Sequence, residues 1–166
     1  MPETMLVHFI AAGVLLARGA DLGSTYLATP NLVLEANDLV RRFRWPFAFA
    51  TLALCFVPYL NPGFGIIVLV TSLFVSAGNL RQVWLARAVG ESEYLAFLRA
   101  AAARSTRFAV LGSMLGSALL VGFAGAVMLF FYPTPSWGRS IAFGVLGYAG
   151  AIGVHGMTFA RRLFVT

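Results

Sequence analysis

The chain has 166 residues, 60% of them hydrophobic and 11% charged, with a mean hydropathy of +0.85. That is too little charge to cover the surface of a water-soluble domain, which excludes that class and points to an integral membrane protein. All 12 basic residues are arginine and six acids oppose them, for a net charge of +6, an excess that in such a chain reports membrane orientation rather than a nucleic-acid partner.

The first apolar run, Met5–Tyr26, is preceded by the acidic Glu3 where a secretory leader carries Lys or Arg, so it reads as a retained first helix. His8, near its start, is an interfacial residue without an assigned role. The second run, Pro46–Leu60, is short, broken by Pro58 and closed by Asn61–Gly63. It either spans with help from Leu39 to Trp45 or dips in as a re-entrant hairpin with the third run, Phe64–Trp84. Spanning sorts the arginines more cleanly. Cys55 is the sole cysteine, so an intrachain disulfide is excluded and a small core role is expected. Between the third and fourth runs, residues 91–104 predict an amphipathic helix lying on the cytoplasmic surface. Tyr94, Phe97, Leu98 and Ala101 form its apolar face, with Arg99 and Arg104 pointing away. The last two runs are Phe108–Tyr132 and Ser140–Val165. All but the second approach the ~20 residues needed to cross a bilayer core.

With the N-terminus outside, the inner loops and C-terminus collect Arg41, Arg42, Arg44, Arg87, Arg99, Arg104, Arg107, Arg161 and Arg162, while the outer loops hold Arg139. This positive-inside pattern predicts one all-α domain over residues 1–166, a bundle of about five transmembrane helices oriented N-out and C-in. The expected location is the cytoplasmic (inner) membrane of a prokaryote.

Span five places glycine at every third position, at Gly144, Gly147, Gly150, Gly153 and Gly156. Each step of three turns ~300°, so the glycines sweep around the helix instead of forming one groove. Small residues let membrane helices approach closely, so span five is expected at the centre of the bundle. Gly112 and Gly116 on span four form a GxxxG pair expected to pack within the chain.

Asp21, Asn79 and His155 lie about four and a half turns, ~24 Å, along spans one, three and five, which run in the same direction. Ionisable groups at such depth face a bundle interior, a partner or water, so this polar layer is the candidate site. Arg18, one turn from Asp21, would tune its charge, and Thr25 lies at i+4. Duller readings stand beside these. Arg18 and Asp21 can neutralise one another on a single helix, Asn79 can be interfacial, and a lone core histidine is more often hydrogen-bonded than metal-ligating.

Asp21 to Thr25 (DLGST) followed by Glu35 to Asp38 (EAND) resembles the signature of an uncharacterised family of small prokaryotic multi-span membrane proteins, D-x-x-[ST]-T with a later E-x-N-P. The resemblance covers roughly the first quarter of the chain and implies that Asp21, Thr25, Glu35 and Asn37 are the family-type positions. It implies no reaction. Asp38 stands where the pattern has proline. Asn37 suits a helix N-cap, and Asp38 keeps a favourable charge at the positive helix end.

Motifs for hydrolytic catalysis are missing, and nothing identifies a haem, quinone or chlorophyll site. The leading expectation is a non-catalytic subunit or scaffold of a membrane complex, with lipid, membrane-protein partners or further copies of the chain around it. The alternatives are a transporter or cation-binding protein built on the polar layer, and a metal-dependent intramembrane hydrolase using Asp21, Glu35 and His155.

Overall fold

The computed structural model describes residues 3–164; Val165, the expected end of span five, lies outside them. The chain is helical, with α1 (Glu3–Ala28), α2 (Asp38–Ala50), a 3-10 stretch (Thr51–Phe56), α3 (Val57–Leu60), α4 (Pro62–Val89), α5 (Glu91–Ala103), α6 (Arg107–Phe131) and α7 (Trp137–Phe164). Five segments are long and apolar enough to cross a membrane: Thr4–Ala28, Asp38–Leu60, Pro62–Val89, Arg107–Phe131 and Trp137–Phe164.

Small residues set the packing order. A Cβ added to Gly65 of α4 would lie 2.9 Å from Ile10 of α1, and one on Gly13 would lie 2.7 Å from Leu69. Further along, Asn79 reaches Thr25. The numbers rise together, so α1 and α4 run parallel. By the same reasoning α4 and α7 are parallel, through Gly144 against Val70 and Gly147 against Thr71. The Thr71 hydroxyl, admitted by the bare Gly147, donates to the Gly144 carbonyl at 3.0 Å. By contrast, α6 runs antiparallel to α7, with Met114 at Gly156, Ala118 at Gly153 and Leu146 at Gly125. The spans therefore stand in a row, with the second beside α1, then α4, α7 and α6.

That order corrects the expectation that span five is central, because α4 holds the middle and α7 is flanked by α4 and α6. The glycine sweep explains the arrangement. Gly144 and Gly147 face α4, and Gly153 and Gly156 face α6 about half a turn round. Gly150 points into the gap between these neighbours and has nothing within 4 Å, so it is not a packing residue. Gly112 and Gly116 also have nothing within 4 Å, which overturns their expected packing inside the chain. They sit two residues from the contact positions Met114 and Ala118, ~200° away, and α6 is the last helix of the row.

The second span is built from unlike pieces. Arg44 has φ 62 and ψ −159, a region that side chains rarely adopt, and it breaks α2 just before Trp45–Pro46. Proline tolerates a helix start because it lacks the N–H that would go unpaired there. From Trp45 to Leu60 the rises of α, 3-10 and α segments sum to about 27 Å, enough to approach a bilayer thickness with few residues. Cys55 lies in the 3-10 stretch and is only half-buried, so it is not a core residue.

The helix α5 runs from Glu91 to Ala103 as expected in position, but its buried face differs. Tyr94, Leu95 and Ala102 are buried, whereas Phe97 is 59% exposed and Ala101 is exposed. Leu95 and Ala102, seven apart, share the buried face of a helix that packs against α4 and α7, and the Tyr94 hydroxyl donates to Gln82 at 3.5 Å.

Candidate functional site

The α1–α4 seam is polar over its second half. Ile10, Val14, Ala17, Asp21 and Ser24, at heptad spacing, are all buried in it. Asp21 is 8% exposed and Ser24 3%. Arg18 donates from Nη1 to Asp21 Oδ2 at 2.5 Å and from Nη2 to Thr51 Oγ1 at 2.5 Å. Asn79 Nδ2 lies 3.1 Å from Thr25 Oγ1, 3.3 Å from Ser24 Oγ and 3.5 Å from Asp21 Oδ1. Ser24 in turn donates to the Asp21 carbonyl at 2.9 Å. Thr51 hands its own proton to the Ala48 carbonyl.

The network thus joins α1, α4 and the 3-10 stretch of the second span. Buried polar groups are favourable in such a setting only when bonded, and nearly all of these are. Arg18 Nε is the exception among the described residues, buried without a partner. Thr51 was not foreseen. Its signal is a lone threonine in the apolar second run, at the right depth to meet Arg18.

Glu35 belongs to the segment that joins α1 to α2, and this segment is fastened over one end of the row. The Glu91 carboxylate accepts from Thr29 Oγ1, from the N–H of Asn31 at 3.0 Å, from Asn31 Nδ2 at 2.9 Å and from the N–H of Val33 at 3.2 Å. Arg162 of α7 donates to the carbonyls of Glu35 at 2.6 Å and Val33 at 2.9 Å. Trp45 Nε1 donates to the Pro30 carbonyl at 3.0 Å and Arg44 Nη1 to the Asn31 carbonyl at 3.2 Å. Leu32, at φ 59, is buried beneath this web at 2% exposure. Asn37 accepts from the N–H groups of Leu39 and Val40 and caps α2, and Asp38 pairs with Arg41 at 2.6 Å.

Burial pushes the Glu35 carboxyl above the ordinary carboxylate range, against the N–H of Asn37 and the nearby His155, which favour its charged form. Asp21 pushes the same way as burial, so Glu35 lies within electrostatic reach of both Asp21 and His155. For Glu91 partial burial acts upward, but the bonds from Thr29, Asn31 and Val33 together outweigh it and hold the carboxyl below the usual range. Glu91 and Thr29 carry no site signal in the sequence, and Arg162 reads there only as an inner-side charge. Glu91 looked like a helix start, and a carboxylate serving a loop 60 residues earlier leaves no local pattern.

The expected layer is therefore split. Asp21, Thr25 and Asn79 meet directly with Arg18. Among the described residues His155 is half-buried and makes no side-chain hydrogen bond, so the bonding expected of a core histidine is not formed. No group of three His, Cys, Asp or Glu among the described residues could hold a metal ion, so Asp21, Glu35 and His155 do not make a metal centre. His8 accepts or donates across 2.8 Å to the Tyr59 hydroxyl at the opposite end of the row.

Among the described residues the regular structure is all helical, and five helical segments of this length and apolarity give the build of a multi-pass membrane protein whose helices contact lipid. No family model, curated protein or solved structure matches the chain.

Proposed function

We propose that the chain is a non-catalytic subunit or scaffold of a membrane complex. The supporting observation is that the polar layer spends its hydrogen bonds on neighbouring helices, joining Arg18, Asp21, Thr25, Thr51 and Asn79. A site meant for chemistry keeps convergent groups open to a cavity. The chain sits N-out and C-in in the cytoplasmic membrane of a prokaryote. All its arginines except Arg18 and Arg139 gather at the end where Glu91 and Arg162 fasten the loop. The likeness of Asp21–Thr25 and Glu35–Asp38 to the prokaryotic family pattern agrees with this placement. Purification from native membranes in mild detergent should yield a stoichiometric complex. Elution as an isolated chain carrying a ligand would overturn the reading. With Cys55 replaced, a cysteine at Ser136 should label from outside and one at Ser92 from inside; the reverse would overturn the orientation.

A second reading, cation binding, draws on Glu35. Its carboxyl, half-buried in the fastened loop, feels the charges of Asp21 and His155. Cation uptake into vesicles that Glu35→Gln abolishes would favour it.

A further inference from the structure

At the end of the row opposite the fastened loop, the first turns of α4 and α7, in close approach at Gly63 and Ser140, line a cleft of about 650 Å³. Its walls are Phe64 and Ile67 of α4 and Trp137, Ser140 and Phe143 of α7, with Arg139 at the rim. The volume falls within the range of small-molecule sites. Its lining combines a long apolar wall with a compact polar head, and that asymmetry defines the ligand.

Arg139 is the polar head. Its guanidinium stacks over Phe143, 5.6 Å from the ring centroid, and Nη1 donates to the Pro133 carbonyl. These contacts aim the group and leave further N–H donors free. Among the described residues the lining of the cleft carries no carboxylate, so Arg139 is its one charged group there. The start of α7 adds to it. Ser136 serves the N–H groups of Arg139 at 3.3 Å and Ser140 at 3.2 Å, which leaves those of Trp137 and Gly138 outside the helix's own bonds, with the Tyr132 ring packed on Gly138. The corresponding donors of α4 are consumed by Asn61, so the anion position belongs to α7. Below it, Phe64 is 60% exposed and Phe143 40% exposed, and both present apolar surface along the helix direction.

We propose that this cleft binds an anionic phospholipid, with the phosphate at Arg139 and the start of α7 and the first part of an acyl chain against Phe64, Ile67 and Phe143. Guanidinium groups match phosphate oxygens in pairs, and a tail supplies the apolar contact that free phosphate lacks.

Native mass spectrometry of the whole chain in non-ionic detergent, titrated with phosphatidylglycerol, tests this. One tightly bound equivalent is expected, about tenfold tighter than phosphatidylcholine of the same chains. Arg139→Gln should lose that equivalent, Arg139→Lys should keep it with several-fold weaker affinity, and Phe64→Ser should weaken it several-fold. Arg87→Gln, an exposed arginine at the other end, should leave it unchanged. Undiminished binding by Arg139→Gln, or equal affinity for phosphatidylcholine, would overturn the proposal. Displacement by inorganic phosphate at equal concentration would mean a free-anion site and would also overturn it. If Arg139→Gln lowers the melting temperature, Phe64→Ser decides.

Discussion

Asn79 of α4 donates to Thr25 of α1 at 3.1 Å, and the same amide nitrogen lies within 3.5 Å of Asp21. One side chain therefore binds the third span to the hydroxyl and the carboxylate of the first. Interhelical bonds in membranes average about 0.6 kcal/mol and reach about 1.7. Asn79→Leu should destabilise the chain by about 1 kcal/mol and Thr25→Val by about 0.5 kcal/mol, because the two Asn79 amide hydrogens are shared among three acceptors, of which Thr25 is one. The double variant should lose less than the sum, read as SDS unfolding midpoints.

Glycines in one helix should differ sharply. A Cβ on Gly144 would lie 2.6 Å from Val70 Cβ and 3.2 Å from the Ile67 carbonyl, whereas Gly150 has open space. Gly144→Ala should cost about 1–3 kcal/mol. Gly150→Ala should stay within about 0.5 kcal/mol of wild type or gain slightly from helix propensity. Thermal melting in detergent separates the two.

Glu91 carries an acid-labile fastening. Its folded-state pKa is lowered, so its stabilising effect is complete above the ordinary value of 4.5 and is lost as the pH falls through the lowered one. Glu91→Gln should lower the melting temperature at pH 7, and the gap from wild type should close toward pH 3. A gap independent of pH would mean that the loop is held by other contacts.

Glu35 should show the opposite sign. Its pKa is raised, so ionisation costs stability as the pH rises through the raised value, and the cost disappears below 4.5. Glu35→Gln keeps an oxygen for the Asn37 N–H while removing the charge. Its melting temperature should exceed that of wild type at pH 8, with the excess fading toward pH 4.

Much of the helical plan follows from composition, since apolar runs of fixed length state where helices stand. The shared depth of Asp21 and Asn79 likewise rests on counting residues along parallel spans. What composition does not carry is rotation. Phe97 and Leu95 are equally apolar, yet α5 buries Leu95 and exposes Phe97, because neighbours decide which side of a short helix turns inward. Gly150 and Gly147 read alike for the same reason, one facing a gap and the other Thr71. Glu91 is harder still. Its partners are two backbone N–H groups and the side chains of Thr29 and Asn31, and main-chain donors have no residue identity to search for.

The loop between α1 and α2 also imposes an order on biogenesis. Its carbonyls at Val33 and Glu35 wait for Arg162, more than 120 residues later in synthesis, and its N–H groups wait for Glu91, about 60 residues later. A ribosome delivers the first two spans to the membrane well before either anchor exists. The early hairpin can make its own bonds at once, from Trp45 to Pro30 and from Arg44 to Asn31, but the grip of α7 on the same loop follows only when that helix arrives.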